Sequence, residues 1–152
     1  MKVLLAIDNS EYSKAAIDEV AKRLFPPSSE VRIVSVYKKS TQILEMDPMG
    51  TLREYFSELE QIAVKSAKEL TANAAELLHN ENPELLVSIN VIGGSPKRLI
   101  IEEAESFGAD IIVLGSHGYG ALESFLLGSV AQSVVLHAKC SVEIVRINKQ
   151  RK

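Results

Sequence analysis

The residues best suited to chemistry gather between positions 115 and 130. They read Gly115, Ser116, His117, Gly118, Tyr119 and Gly120, then a mostly apolar stretch, then Gly128, Ser129 and Val130. Glycine allows positive φ and close approach of a ligand to the backbone, so successive N–H groups in such a loop can form an anion-binding nest. A helix starting near Gly128 would add unpaired N–H groups and partial positive charge, and Ser129 could donate to a phosphate oxygen or simply cap that helix. The glycine spacing alone fits a phosphate cradle and an ordinary strand-to-helix connection equally well. No Lys or Arg falls between Gly115 and Ser129. Phosphoryl transfer usually needs such a charge clamp, so binding is easier to support than turnover. Asp8 is the second candidate: it follows an apolar run and can hold a ribose hydroxyl or an adenine amino group, or only its own turn.

The remaining candidates are weaker. His79 and His137 lie far apart, with no nucleophile and orienting acid beside them in sequence, which argues against a hydrolase triad. His117 stands inside the glycine-rich loop, where it can touch a phosphate or be a bystander. Cys140 is the one cysteine, so it closes no disulfide within the chain. It fits a reducing compartment and reads as a packed side chain rather than a redox centre. Three scattered histidines and one thiol form no recognisable zinc pattern, and neither a catalytic nor a metal-ligating set is assigned. There is no Gly-x-x-x-x-Gly-Lys-Ser/Thr loop, and the turn Asp8, Asn9, Ser10, Glu11 lacks the Ser-Gly-Gly-x-Asp-Ser pattern of the ATP pyrophosphatases.

Positioning these residues requires a scaffold, and the apolar pattern describes one. Residues 3–7 form a short buried strand stopped by Asp8. Ser10 can cap a helix with Ala15, Ala16, Val20 and Leu24 inward, ended by Pro26 and Pro27. Residues 31–37 make a second strand, and the polar stretch 38–50 a long loop. Over residues 51–81, Leu52, Tyr55, Phe56, Leu59, Ile62, Ala63, Ala67, Leu70, Ala74, Leu77 and Leu78 recur at three- and four-residue spacing, the mark of a long helix with one buried face. A third strand over 85–92 ends at Gly93 and Gly94, and Pro96 opens a helix with Leu99, Ile100 and Ala104 inward that stops near Gly108. Residues 111–114 are a clean buried strand, 129–137 a last helix, and 142–146 a closing strand. Strands alternating with helices require crossovers, which makes an α/β fold with a parallel sheet between helices.

Composition agrees. The 152 residues suit one domain, and the shares of 46% apolar and 24% charged residues are those of a globular chain. Seventeen basic against 20 acidic residues leave a net charge of −3, no field for gripping nucleic acid. The apolar run at 3–7 is too short for a signal sequence or a membrane span, so no membrane partner and a cytoplasmic location are expected.

Gly115, Gly118, Gly128 and Ser129 fit the spacing Gly, two residues, Gly, nine residues, Gly, Ser. With this motif, the opening Val3 to Ser10 and the turn Gly94, Ser95, Pro96, essentially the whole chain resembles the universal stress protein family, in particular its ATP-binding branch. The resemblance implies a Rossmann-like five-stranded parallel sheet in the order 3-2-1-4-5, with residues 1–148 as one nucleotide-binding domain and 149–152 as a short polar tail. It implies that Ala6, Ile7, Asp8 and the backbone near Val36 surround adenine and ribose, while residues 115–120 and 128–130 cradle the phosphates of ATP, AMP or ADP. Magnesium or manganese would bind mainly through those phosphates. It also implies a homodimer through the last strand, between Val142 and Ile147. Many members carry proline where this chain has Ser141, which puts the dimer geometry in question. The expected function is a stress-response protein in which bound ATP is a structural ligand or signal, hydrolysed slowly at most. The alternatives are a nucleotide-independent interaction module, docking an unidentified protein on residues 38–50 or on the long helix, and a slow ATPase or self-phosphorylating protein.

Overall fold

The computed structural model describes residues 1–39, 52–118 and 127–147. Strands β1 (Lys2–Ala6), β2 (Glu30–Tyr37), β3 (Leu86–Gly93), β4 (Ile111–Gly115) and β5 (Ser141–Val145) form one sheet in the order β3-β2-β1-β4-β5, with every neighbouring pair parallel. Among the described residues the helices are α1 (Glu11–Ala21), α2 (Arg53–Glu81), α3 (Pro96–Phe107) and α4 (Ser129–His137).

The central strand explains the sheet. β1 is flanked on both sides, so both of its faces are covered and it reads as an unbroken apolar run. Val3 and Leu5 join the core layer formed with Ala16, Ile17, Val20, Ala74 and Leu78 of α1 and α2. Leu4 and Ala6 face the other layer, with Ile100, Ala104 and Phe107 of α3 and Ala131 and Val134 of α4. The chain moves from β1 outward to β2 and β3, then returns across β1 to β4 and β5. That reversal puts α1 and α2 on one face and α3 and α4 on the other.

Two expectations for the helices need correction. The inward stripe of α1 does not reach Leu24, which is 94% exposed. The helix ends at Ala21, where the Lys22 N–H donates to the Asp18 carbonyl and the Arg23 N–H to the Val20 carbonyl, so the 3.6-residue phase is lost before Leu24. Ile17 and Ala21 are buried in its place. The long apolar face of α2 is covered over only part of its length. Ala67, Thr71, Ala74 and Leu78 are buried, whereas Tyr55, Leu59 and Ile62 are 58%, 43% and 64% exposed. Periodicity identifies an apolar face, but the extent of the sheet decides how much of it is covered.

At the sheet's edge, Ser141 opens β5 and its N–H donates to the Asp110 carbonyl at 3.3 Å. A proline here could not make this bond.

Candidate functional site

Parallel strands direct their carboxyl ends to one rim, and the crevice lies where strand order reverses. Here that place is between β1 and β4, with Ala6 registered against Leu114. A cleft of about 550 Å³, including the open space at its mouth, lies on this rim. Its lining includes Ala6, Ile7, Asp8, Val36, Gly115, His117, Gly118 and Val130, eight residues expected from the sequence.

The turn after β1 holds Asp8 rigidly. Its Oδ1 accepts from the Ser10 N–H at 3.0 Å and from the Ser13 hydroxyl at 2.8 Å, while its own N–H donates to Ser13 Oγ at 2.8 Å. Ser10 in turn caps α1 by accepting from the Ser13 N–H at 3.1 Å. The local-turn reading of Asp8 therefore holds for Oδ1. The other oxygen, Oδ2, is turned to Gly118, where a Cβ would lie 2.9 Å from it. Ser13 is buried, so Ser13→Ala is expected to leave the Asp8 N–H without its acceptor and to cost about 1–2 kcal/mol of stability. Urea unfolding at constant m-value measures this, and an unchanged midpoint would show that water replaces the hydroxyl.

The glycine-rich loop is tied down from behind. The Ser116 N–H donates to the Val145 carbonyl at 2.8 Å, and the Ser116 carbonyl accepts from the Gly128 N–H at 2.8 Å. The Ser116 side chain is 1% exposed and its hydroxyl lies 3.1 Å from His117 Nδ1, so Ser116 anchors the loop behind the cleft. His117 packs its ring on Tyr12, with centroids 5.0 Å apart, and its carbonyl accepts from Ser10 Oγ at 3.4 Å. A Cβ on Gly128 would stand 3.2 Å from His117 Cα and 3.5 Å from the Gly118 nitrogen. The two arms of the motif thus touch, backbone to backbone. Gly128 is the N-cap of α4 and makes no side-chain cap bond. Ser129 occupies the first helical position and is exposed, so it is not the capping residue. Tyr119 and Gly120 lie outside the described residues.

The sequence did not point to Ser13, Val34, Pro96, Ile100, Leu114 and Ala131, which also line the cleft, or to Tyr12, which packs against His117. Ser13 was recoverable, because it stands three residues after the capping Ser10. Pro96, Ile100 and Ala131 reach the cleft only through the packing of α3 and α4 on the sheet. Among the described residues no three His, Cys, Asp or Glu side chains are placed to hold a metal ion. His79 and His137 are both exposed, and His137 Nδ1 lies 2.8 Å from the Ser133 carbonyl of its own helix. Cys140 packs at the margin of the core layer under α3 and α4, and burial pushes its thiol up from the ordinary range, with Asp110 adding to the effect. No described helix is long and apolar enough to cross a membrane.

The model of the universal stress protein family matches residues 1–146, and the chain belongs to that family. A putative universal stress protein of Staphylococcus epidermidis is 31% identical over 95% of this chain and 82% of its own length. A universal stress protein of Synechocystis is 30% identical over 95% of this chain and 97% of its own length. Among solved structures, the hypothetical protein MJ0577 superposes with a TM-score of 0.84 at 28% identity, covering 98% of this chain and 97% of that one. Two more distant structures share the fold and carry nucleotides. A family protein of Arabidopsis thaliana holds AMP (TM-score 0.59, 18% identity, 98% of this chain and 93% of that one). Another universal stress protein is complexed with cAMP (TM-score 0.63, 19% identity, 95% of each chain).

Proposed function

We propose that the cleft binds an adenine nucleotide and that the nucleotide is ATP, which would place the chain in the ATP-binding branch of the family. The observation that carries this reading is the meeting of Asp8 Oδ2, Gly118 and the amino end of α4 at one side of the cleft. A carboxylate there suits ribose hydroxyls, while backbone N–H groups and a helix N-terminus suit phosphate oxygens. Ala6, Ile7 and Val36 supply the apolar wall for adenine. Residues 115–120 and 128–130 supply the cradle. AMP and cAMP in two proteins of the same fold support the adenine class.

Magnesium or manganese fits this donor set through the phosphates, since Asp8 is the one carboxylate lining the cleft among the described residues. The residues between Gly115 and Ser129 include no Lys or Arg, which favours a nucleotide that acts as structural ligand or signal, with slow hydrolysis at most. The test is gentle purification without added nucleotide, acid release and identification of what emerges, then titration of ATP and magnesium into the stripped protein. Near-stoichiometric adenine nucleotide, or saturable binding of about micromolar affinity or tighter, is the expected result. Neither release nor saturation would overturn the reading.

The same reading includes a cytoplasmic homodimer paired through β5. Among the described residues this strand ends the sheet, so one row of its backbone groups faces outward, where a second strand can pair. Val135 and Leu136 on the neighbouring α4 are 46% and 69% exposed. Light scattering at micromolar concentration is expected to give twice the 16.7 kDa chain mass. The mass of a single chain would remove this part.

A further inference from the structure

The amino-terminal half of α2 carries a side-chain pattern that the nucleotide reading does not use. Tyr55, Leu59 and Ile62 are large, apolar and exposed, and they recur at steps of four and three residues. That is the spacing of a two-stranded helical seam, with Leu59 at one core position and Tyr55 and Ile62 at the other; Ser66, the next position along, is half-buried and accepts from Asn9 Nδ2 at 3.0 Å. The fully buried residues of α2 begin at Ala67, and Tyr55, Leu59 and Ile62 lie on a face that the sheet does not cover. Roughly three turns of helix, about 20 Å, are involved.

We infer that this face pairs with the same face of a second copy of the chain, with the two helices antiparallel. The register follows from the side chains. Across a two-fold axis, Leu59 of one copy meets Ile62 of the other, twice. On the solvent side of the seam stand Glu58 and Lys65, both exposed, and the antiparallel arrangement brings each against the other's counterpart, making two ion pairs. On the side toward the body stand Phe56 and Ala63, both half-buried, and Ala63 lines a cleft of its own chain with Asn9 and Val36. A parallel arrangement would set Glu58 against Ala63 and Lys65 against Leu70, with no ion pair. Charge therefore selects both the partner and the direction, and opposed helix dipoles favour the same choice.

The contact is short, which makes it a weak, concentration-driven association independent of nucleotide and of the β5 edge. In sedimentation of the full chain across two decades of concentration, the weight-average mass is expected to rise at least twofold as concentration rises. Glu58→Lys should weaken this step at least tenfold, and Glu58→Lys combined with Lys65→Glu should restore it. Leu59→Glu with Ile62→Glu should abolish it while leaving circular dichroism unchanged, because both positions are exposed. Ile144→Lys, which disturbs β5, should leave it in place. In a Cys140→Ser background, an equal mixture of Leu59→Cys and Ile62→Cys chains should cross-link far better than either alone. The inference is overturned if the step is absent, if the charge-swapped double variant stays as weak as the single one, or if Ile144→Lys removes the step. It is equally overturned if the α2 variants change only binding to anionic phosphatidylserine vesicles or to another protein while the mass is unaffected.

Discussion

Gly118→Val combined with Gly128→Val is expected to lower ATP affinity by at least about 100-fold, equivalent to about 2.7 kcal/mol. The reason is steric. A Cβ at Gly118 would meet Asp8 Oδ2 at 2.9 Å, and one at Gly128 would meet His117 Cα at 3.2 Å. Valine's two further methyl groups would occupy the space between Asp8 and the start of α4 and hold any phosphate away from the backbone N–H groups. Isothermal titration of stripped protein measures the loss, and a thermal shift by ATP should vanish with it. Circular dichroism and the urea midpoint of the ligand-free variant control for misfolding. If the variant is folded and binds ATP as the wild type does, the cradle is in the wrong place, whatever the fate of the adenine pocket.

The second large effect is on stability. Gly115→Ala is expected to destabilise the protein by about 2–3 kcal/mol, because the new methyl has no direction in which to relax. Its Cβ would lie 2.7 Å from both the backbone carbonyl carbon and the Cβ of Tyr12, and 2.9 Å from the Tyr12 oxygen. Those atoms belong to the first turn of α1, itself fixed by the Ser10 cap and by the Ser13 bonds to Asp8. Either β4 or α1 must shift, and such a shift moves Asp8 relative to the loop. Urea denaturation with an unchanged m-value gives the cost. A variant as stable as the wild type would mean that the first turn of α1 yields easily, and that Gly115 is needed only for the ligand.

These three glycines show what sequence reading can and cannot supply. Positive φ and close approach both call for glycine, and the motif spacing does not distinguish them. Among the described glycines, Gly94 and Gly108 have the positive φ, whereas Gly115, Gly118 and Gly128 are there because another chain segment or side chain lies against them. For Gly115 and Gly118 that second requirement involves residues about a hundred positions away, Tyr12 and Asp8, and no local pattern contains it.

What the sequence by itself determined is the alternation of strands and helices, the α/β class, the apolar run of β1 and the capping role of Ser10, all consequences of short-range periodicity and local hydrogen bonding. Its likeness to a known family supplied the strand order, and with it the neighbouring positions of Asp8 and Gly115. Tertiary structure alone decided that Leu24 is exposed, that Ser116 anchors the loop from behind, that Ser129 begins α4 without capping it, and that half of the apolar face of α2 is uncovered. Each of these depends on where one element stops relative to another. Such a distance is set by the packing of the whole sheet and its helices, which nearest-neighbour chemistry along the chain does not encode.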